Sequence, residues 1–252
     1  MIQLKDLTKK YGDFAALTDL NLTVPRGVLY GLLGPNGAGK TTALRIIAGI
    51  LQATAGTATV GGHDVRKEPE LAKSRLGYIP DRPFIYEKLT GAEFLRFVAG
   101  LYGQNGNEID RRIDELLGVW ELTAWRDELL EAYSHGMKQK LIISSALIHR
   151  PEVIVVDEPL VGLDPKAARM LKDIFRGFVK RGGTILMSTH TLEVAEALCD
   201  RIAIIQSGRI RAEGTMEDLR REAQAGDIGL EEIFLKLTGG HEVRELLEVL
   251  GS

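Results

Sequence analysis

The segment Gly34-Pro-Asn-Gly-Ala-Gly-Lys-Thr41 constrains this chain more than any other stretch. It fits G-x-x-x-x-G-K-[ST] and stands between an apolar run, Val28–Leu33, and a helix-like run, Thr42–Ile50. Strand, glycine-rich loop and helix in that order are the context in which the pattern carries a mechanism. Glycines let the backbone curl until successive N–H groups face an anion. The helix behind adds the positive end of its dipole, roughly half a charge. Asn36, Gly37, Ala38, Gly39 and Thr42 are therefore candidate phosphate ligands in this loop. Lys40 would bring a full positive charge to the β- and γ-phosphates, and the hydroxyl of Thr41 would sit on Mg²⁺.

Strand-like runs recur at Ile2–Leu4, Asn21–Val24, Val28–Leu33, Thr57–Val60, Leu76–Ile79, Val153–Val156, Thr184–Ser188 and Ile202–Gln206. Several are apolar at consecutive positions, as strands buried on both faces are. Helix-like runs alternate with them at Thr42–Ile50, Lys140–Ile148, Ala167–Val179 and Thr191–Cys199. The alternation predicts an α/β fold, a mainly parallel sheet covered by helices. Between about residues 82 and 149 the rhythm breaks. Glu93–Leu101 and Glu108–Leu117 have helical spacing, with Ile109, Ile113, Leu116 and Leu117 on one face. This reads as a helical subdomain (about 82–149) inserted into a sheet core (about 1–81 and 150–215), with a short helical extension over about 216–252. In that extension Glu213–Glu222 is expected as a charged helix and Gly226-Asp-Ile-Gly229 as a turn. His241–Leu250 carries a stripe of Val243, Leu246, Leu247 and Leu250, expected to pack on the same chain.

Composition narrows the classes. Of 252 residues, 44% are hydrophobic and 27% charged, ordinary for a soluble globular protein, and the net charge is −3. No basic field argues for nucleic acid. No apolar run approaches the roughly twenty residues of a membrane span, and the N-terminus lacks a signal peptide's pattern. The one cysteine, Cys199, excludes an internal disulfide framework, fits a reducing cytosol, and is expected as a small buried hydrophobe.

Two further segments carry chemistry. Val153-Ile-Val-Val-Asp-Glu-Pro159 is an apolar strand ending in two acids, where open α/β sheets bind ligands. Neighbours on a strand point differently, so Asp157 is placed to hold Mg²⁺ and Glu158 to polarise an attacking water. Tyr133-Ser-His-Gly-Met-Lys-Gln-Lys140 precedes a helical run. Taken alone it is a helix cap with anion-binding capacity.

In order, these motifs resemble those of the ATP-binding subunit of an ABC transporter. The family signature, LSGGQ in its commonest form, looks like Tyr133–Met137. Val161-Gly-Leu-Asp-Pro165 looks like its D-loop, and Ser188-Thr-His190 like its switch histidine. Tyr11 matches the aromatic that stacks on adenine. The resemblance covers about residues 1–215. It implies two copies, as a homodimer or a heterodimer with a paralogous ATPase subunit, closing head to tail around two ATP molecules. Ser134 and Gly136 would donate to the phosphates held by the other chain, Asp164 would link the two sites, and His190 would contact the γ-phosphate. Ser-X-Gly-Met-Lys-Gln and the tail Leu230–Leu237 look like the branch that pairs with separate membrane subunits, often exporters. That places the chain in the cytoplasm, on the inner face of the cell membrane.

Two departures stand out. Where the family usually has Gln at the entry to the helical lobe, this chain has Asp81. A carboxylate there is implied as a metal-shell ligand; the other reading is a solvated turn acid beside Arg82 and Pro83. In the signature, His135 replaces the first Gly and Met137 the Gln. Backbone donors need no particular side chain, so the signature's phosphate binding is expected to survive. A rival class, a soluble ABC-type ATPase acting on DNA or ribosomes, lacks support: there is no sustained heptad run, no second such domain and no basic field. Glu158 argues against a regulatory module without turnover.

Overall fold

The computed structural model describes residues 1–82, 84–223 and 229–238. The chain opens on a hairpin of β1 (Ile2–Tyr11) and β2 (Phe14–Val24). Then β3 (Leu29–Leu33) runs through the glycine loop into α1 (Lys40–Ile47). Next come β4 (Ala55–Val60), β5 (His63–Asp64), α2 (Pro69–Ser74) and β6 (Leu76–Ile79). Three helices, α3 (Gly91–Leu101), α4 (Asn107–Val119) and α5 (His135–Leu147), separate β6 from β7 (Val153–Asp157). The chain continues as α6 (Pro165–Lys180), β8 (Thr184–Thr189), α7 (Leu192–Leu198), β9 (Arg201–Gln206), β10 (Arg209–Gly214), α8 (Met216–Glu222) and α9 (Leu230–Thr238).

Six strands form one sheet in the order β10-β9-β3-β8-β7-β6. It is parallel from β9 to β6, with β10 antiparallel at the edge. β3, β7 and β8 are buried at every position, which their continuous apolar runs require. The faces of β7 divide the core. Ile154 and Val156 pack under the helical segment with Leu95, Trp120 and Leu141, whereas Val153 and Val155 pack toward α1 with Leu44 and Ile47. Each such large side chain withdrawn from water contributes about 1.5–3 kcal/mol. The sheet is thus fixed between two apolar layers. Its carboxyl ends, where the motifs lie, are held in register by Asp157 opposite Ser188 and Leu33 opposite Thr189.

Several expectations need correcting. Ile2–Leu4, Asn21–Val24 and Thr57–Val60 do not join the parallel sheet. They belong to a second, antiparallel sheet of order β2-β1-β4-β5. In β2, Leu20, Leu22 and Val24 are buried while Asp19, Asn21 and Thr23 are not, the alternation of a sheet with one wet face. Glu213 lies in β10 rather than a helix. Helix α8 starts only after Thr215, whose hydroxyl accepts from Asp218 N (3.2 Å) while the Asp218 carboxylate accepts from Thr215 N (3.0 Å). Helix α5 starts at His135, five residues before the expected Lys140, because Ser134 caps it. In the Gly226–Gly229 turn, 226–228 lie outside the described residues, as does the whole His241–Leu250 stripe. The described part of the extension packs on the sheet: Leu230 and Ile233 are buried with Leu33, Ile202 and Ile204.

The expected face of α4 is buried at Ile109, Ile113, Leu116 and Leu117. The aromatics entering the helical segment separate. Phe94 is core, whereas Phe84, Tyr86 and Phe97 are exposed, with Tyr86 and Phe97 edge-to-face at 5.5 Å. Cys199 packs against the core, and burial pushes its thiol up to about 12.

Candidate nucleotide site

The glycine loop wraps the carboxyl end of β3. Gly39 adopts φ 104, and a Cβ there would lie 2.6 Å from the Ala16 carbonyl, so that position admits glycine alone. The loop is pinned from behind: Gly208 N donates to Ala38 O (3.0 Å) and Thr18 N to Gly208 O (3.0 Å). Helix α1 starts without a side-chain cap. The N–H groups of Lys40, Thr41 and Thr42 in its first turn have no acceptor within the helix. Lys40 is buried, and its ammonium donates to the carbonyls of Gly34 (2.7 Å) and Pro35 (3.1 Å). Burial lowers its pKa, against the opposing pull of Glu158 and Asp157.

The two acids after β7 have different surroundings. Asp157 is 1% exposed; Ser188 Oγ donates a short hydrogen bond to its Oδ1, while its Oδ2 is buried without a partner. Such an oxygen is costly unless something ligates it, so the donor set fits a hard divalent cation. Glu158 turns out of the strand at φ 50, its N–H held by Ser188 O (3.3 Å) and Oγ (3.2 Å). Its Oε1 lies 2.8 Å from His190 Nδ1 and 3.9 Å from Lys40 Nζ. Lys40, Asp157, Glu158 and His190 therefore meet at the carboxyl ends of three adjacent parallel strands.

Two contributors carried no signal of their own in the sequence. In the sequence Ser188 is only part of the switch segment, yet in the fold it orients both acids; the parallel register that brings it to Asp157 is not visible in a linear sequence. Tyr78 in β6 buries its hydroxyl beside Arg45. Its pKa is raised first by burial, then by the charge of Asp157, with Asp81 adding and Arg45 opposing. Asp81 itself is half-buried, just past β6. Tyr11 lies at the tip of the first hairpin, half exposed, with Lys9 Nζ 5.0 Å from its ring centroid.

The signature segment does not meet this group within the chain. Ser134 caps α5 by accepting from Met137 N (3.3 Å). Beside it, Gly162 adopts φ 80, and a Cβ there would come within 2.8 Å of the His135 ring. His135 thus packs signature against D-loop. Asp164 caps α6, accepting from Ala167 N (2.9 Å), a bond that also holds its carboxyl below the usual range.

Fold and site define an α/β protein of the phosphate-binding-loop nucleoside triphosphatase class. The family profile for ABC transporter matches residues 17–161, more than half of the chain. The EcsA ABC-type transporter ATP-binding protein of Bacillus subtilis is 35% identical over 245 residues, covering 96% of this chain and 99% of that protein. The chain belongs to the family of ABC transporter ATP-binding proteins. The daunorubicin/doxorubicin resistance ATP-binding protein DrrA of Streptomyces peucetius is 40% identical over 219 residues, 87% of this chain. The chain spans 66% of DrrA and 41% of the probable multidrug ABC transporter ATP-binding protein YbhF of Escherichia coli. A solved ATP-binding subunit of an ABC transporter superposes with a TM-score of 0.89 at 36% identity, over 94% of this chain and 99% of that one. The bacterial cassette MJ0796, solved as a dimer, gives 0.79 at 25% identity, over 86% of this chain and 99% of that one.

Proposed function

We propose that this chain binds and hydrolyses ATP to power export through separate membrane subunits. The carrying observation is the convergence of Lys40, Asp157, Glu158 and His190 behind an uncapped helix N-terminus. Lys40 and the loop from Asn36 to Thr42 bind the phosphates. Thr41 and Asp157, with Asp81 in the outer shell, hold Mg²⁺. When bound, that ion neutralises phosphate charge. Glu158 orients the attacking water, and His190, hydrogen-bonded to it, contacts the γ-phosphate. Tyr11 stacks on the adenine. Ser134, Gly136 and Asp164 serve the site of a second copy or a paralogue, since no hydrogen bond or ion pair among the described residues brings them to their own loop. The dimeric cassette MJ0796 supports this pairing.

The working unit is a sheet core (about 1–81 and 150–215) with a helical subdomain (about 82–149) and a C-terminal extension. No helix among the described residues is long and apolar enough to cross a membrane. The exposed Phe84, Tyr86, Phe97 and Leu101 form the apolar surface on which a membrane subunit would sit, at the cytoplasmic face. Relatives support export. One is named for drug resistance, and the Nod factor export ATP-binding protein I of Sinorhizobium fredii is 35% identical over 250 residues, 99% of this chain and 71% of that protein.

The test is Glu158→Gln. It should keep ATP affinity, cut turnover by roughly a hundredfold or more and trap an ATP-bound dimer. Parent-like hydrolysis by this variant would refute the assignment. Co-fractionation of the chain with membranes carrying a cognate multi-span subunit tests the transport half.

A further inference from the structure

At the amino ends of the parallel strands, opposite the nucleotide site, lies a cleft of about 550 Å³. That is within the range of small-molecule sites. One wall is Leu116, Val119 and Trp120 from α4 and its cap; the other is Ile174 and Phe178 from α6. Arginines Arg26, Arg112, Arg150 and Arg181 line it, with Glu152, and Arg112 pairs with Glu115 at 3.3 Å. Glu152 is shared by Arg26 (3.0 Å) and Arg75 (2.8 Å), and Arg150 reaches Glu108 at 3.4 Å. Arg181 is exposed and its guanidinium makes no ion pair among the described residues. One carboxylate serves two guanidiniums and a third is free, so the rim is short of negative charge.

We infer that this cleft binds a small amphipathic carboxylate, its hydrocarbon body between α4 and α6 and its carboxylate on Arg181 and Arg26. Apolar walls alone would take any hydrocarbon. The guanidinium rim selects an anion, and its fork geometry matches a carboxylate. The walls belong to α4 on one side and the sheet-covering α6 on the other, so an occupant braces one against the other. The cleft lies away from every residue assigned to ATP.

Decanoate is the probe, titrated below its self-association range into the full chain and followed by calorimetry and tryptophan fluorescence. Decanol and decyltrimethylammonium are the neutral and cationic controls. Decanoate should saturate a single site per chain and bind roughly tenfold tighter than either control. Arg181→Glu, on an exposed side chain, should weaken it by a similar factor. Val119→Trp should fill the cleft and abolish binding. Retained ATP binding shows that both variants are folded. Equal affinity for decanol, no saturable decanoate binding, or unchanged affinity in the folded variants would each overturn the inference.

Discussion

Helices α1 and α5 both begin where an anion is expected, and they begin differently. The first turn of α1 has no side-chain cap, and Lys40, Asp157, Glu158 and His190 stand round it. The first turn of α5 is capped by Ser134, and its neighbours are the D-loop, His135 and a Lys138–Glu87 ion pair at 2.8 Å rather than the cation and paired acids that surround α1. One end has the candidate reactive residues within its own chain; the other has a capped helix turn packed on the D-loop. The difference teaches that a helix N-terminus becomes a site through what surrounds it. It also motivates the proposal that the second half of the ATP site comes from another molecule.

Four changes test that contrast, in descending size of effect. Lys40→Ala removes the buried cation at the complete end. ATP binding, read by calorimetry, should weaken on the order of a hundredfold or more, as losing a charge-assisted bond implies. Normal affinity would contradict the phosphate-loop reading.

Gly136→Asp acts at the other end, where an added Cβ meets nothing closer than Gly162 O at 3.6 Å. The chain should fold and bind ATP but lose most turnover, by repelling a partner's phosphates. Mixing it with Lys40→Ala should restore activity, because one composite site in the mixed dimer is intact. If the mixture stays as inactive as its components, the shared site is wrong.

Asp81→Asn is a finer probe. Loss of the carboxylate should raise the Mg²⁺ concentration for half-maximal turnover a few-fold and tighten metal-free ATP binding slightly. Superimposable Mg²⁺ titrations would leave Asp81 as a turn acid.

The smallest effect at neutral pH concerns the far end of α5. His149 is buried, stacks on Tyr102 at 3.7 Å and places Nε2 3.0 Å from Leu76 O. Burial lowers its pKa to about 4. The unfolded chain therefore takes up a proton below about pH 6.5 that the folded chain refuses until about pH 4. This part of the stability is full above pH 6.5 and is lost as pH falls toward 4, by about 3 kcal/mol. Urea unfolding of His149→Gln across that window should show a slope shallower by about one proton. Identical slopes would mean that His149 is not the titrating group.

Much of this site was legible in the chain before folding. Gly34–Thr41 names its chemistry because the glycines and the lysine act locally, through backbone conformation and one charge. Asp157 and Glu158 were legible because an apolar strand ending in acids has few other uses. Ser188 was not, since its role arises from a parallel register across a strand that lies thirty residues on. The antiparallel sheet is not legible although β2 alternates, because short apolar runs look alike until the pairing partner is known. The separation of Phe84, Tyr86 and Phe97 from the buried Phe94 likewise needed the packing.

Periodicity, turn residues and motif spacing act over a few residues, and from them the chain by itself determined its α/β class, the phosphate loop, the acidic strand end and the capped signature helix. Tertiary structure alone decided which strand ends meet, that Asp157 Oδ2 is left without a partner, that Glu158 reaches both Lys40 and His190, and that an arginine-rimmed cleft opens at the opposite end of the sheet. Those features depend on contacts between residues distant in the chain, whose geometry is set by packing two apolar layers onto one sheet.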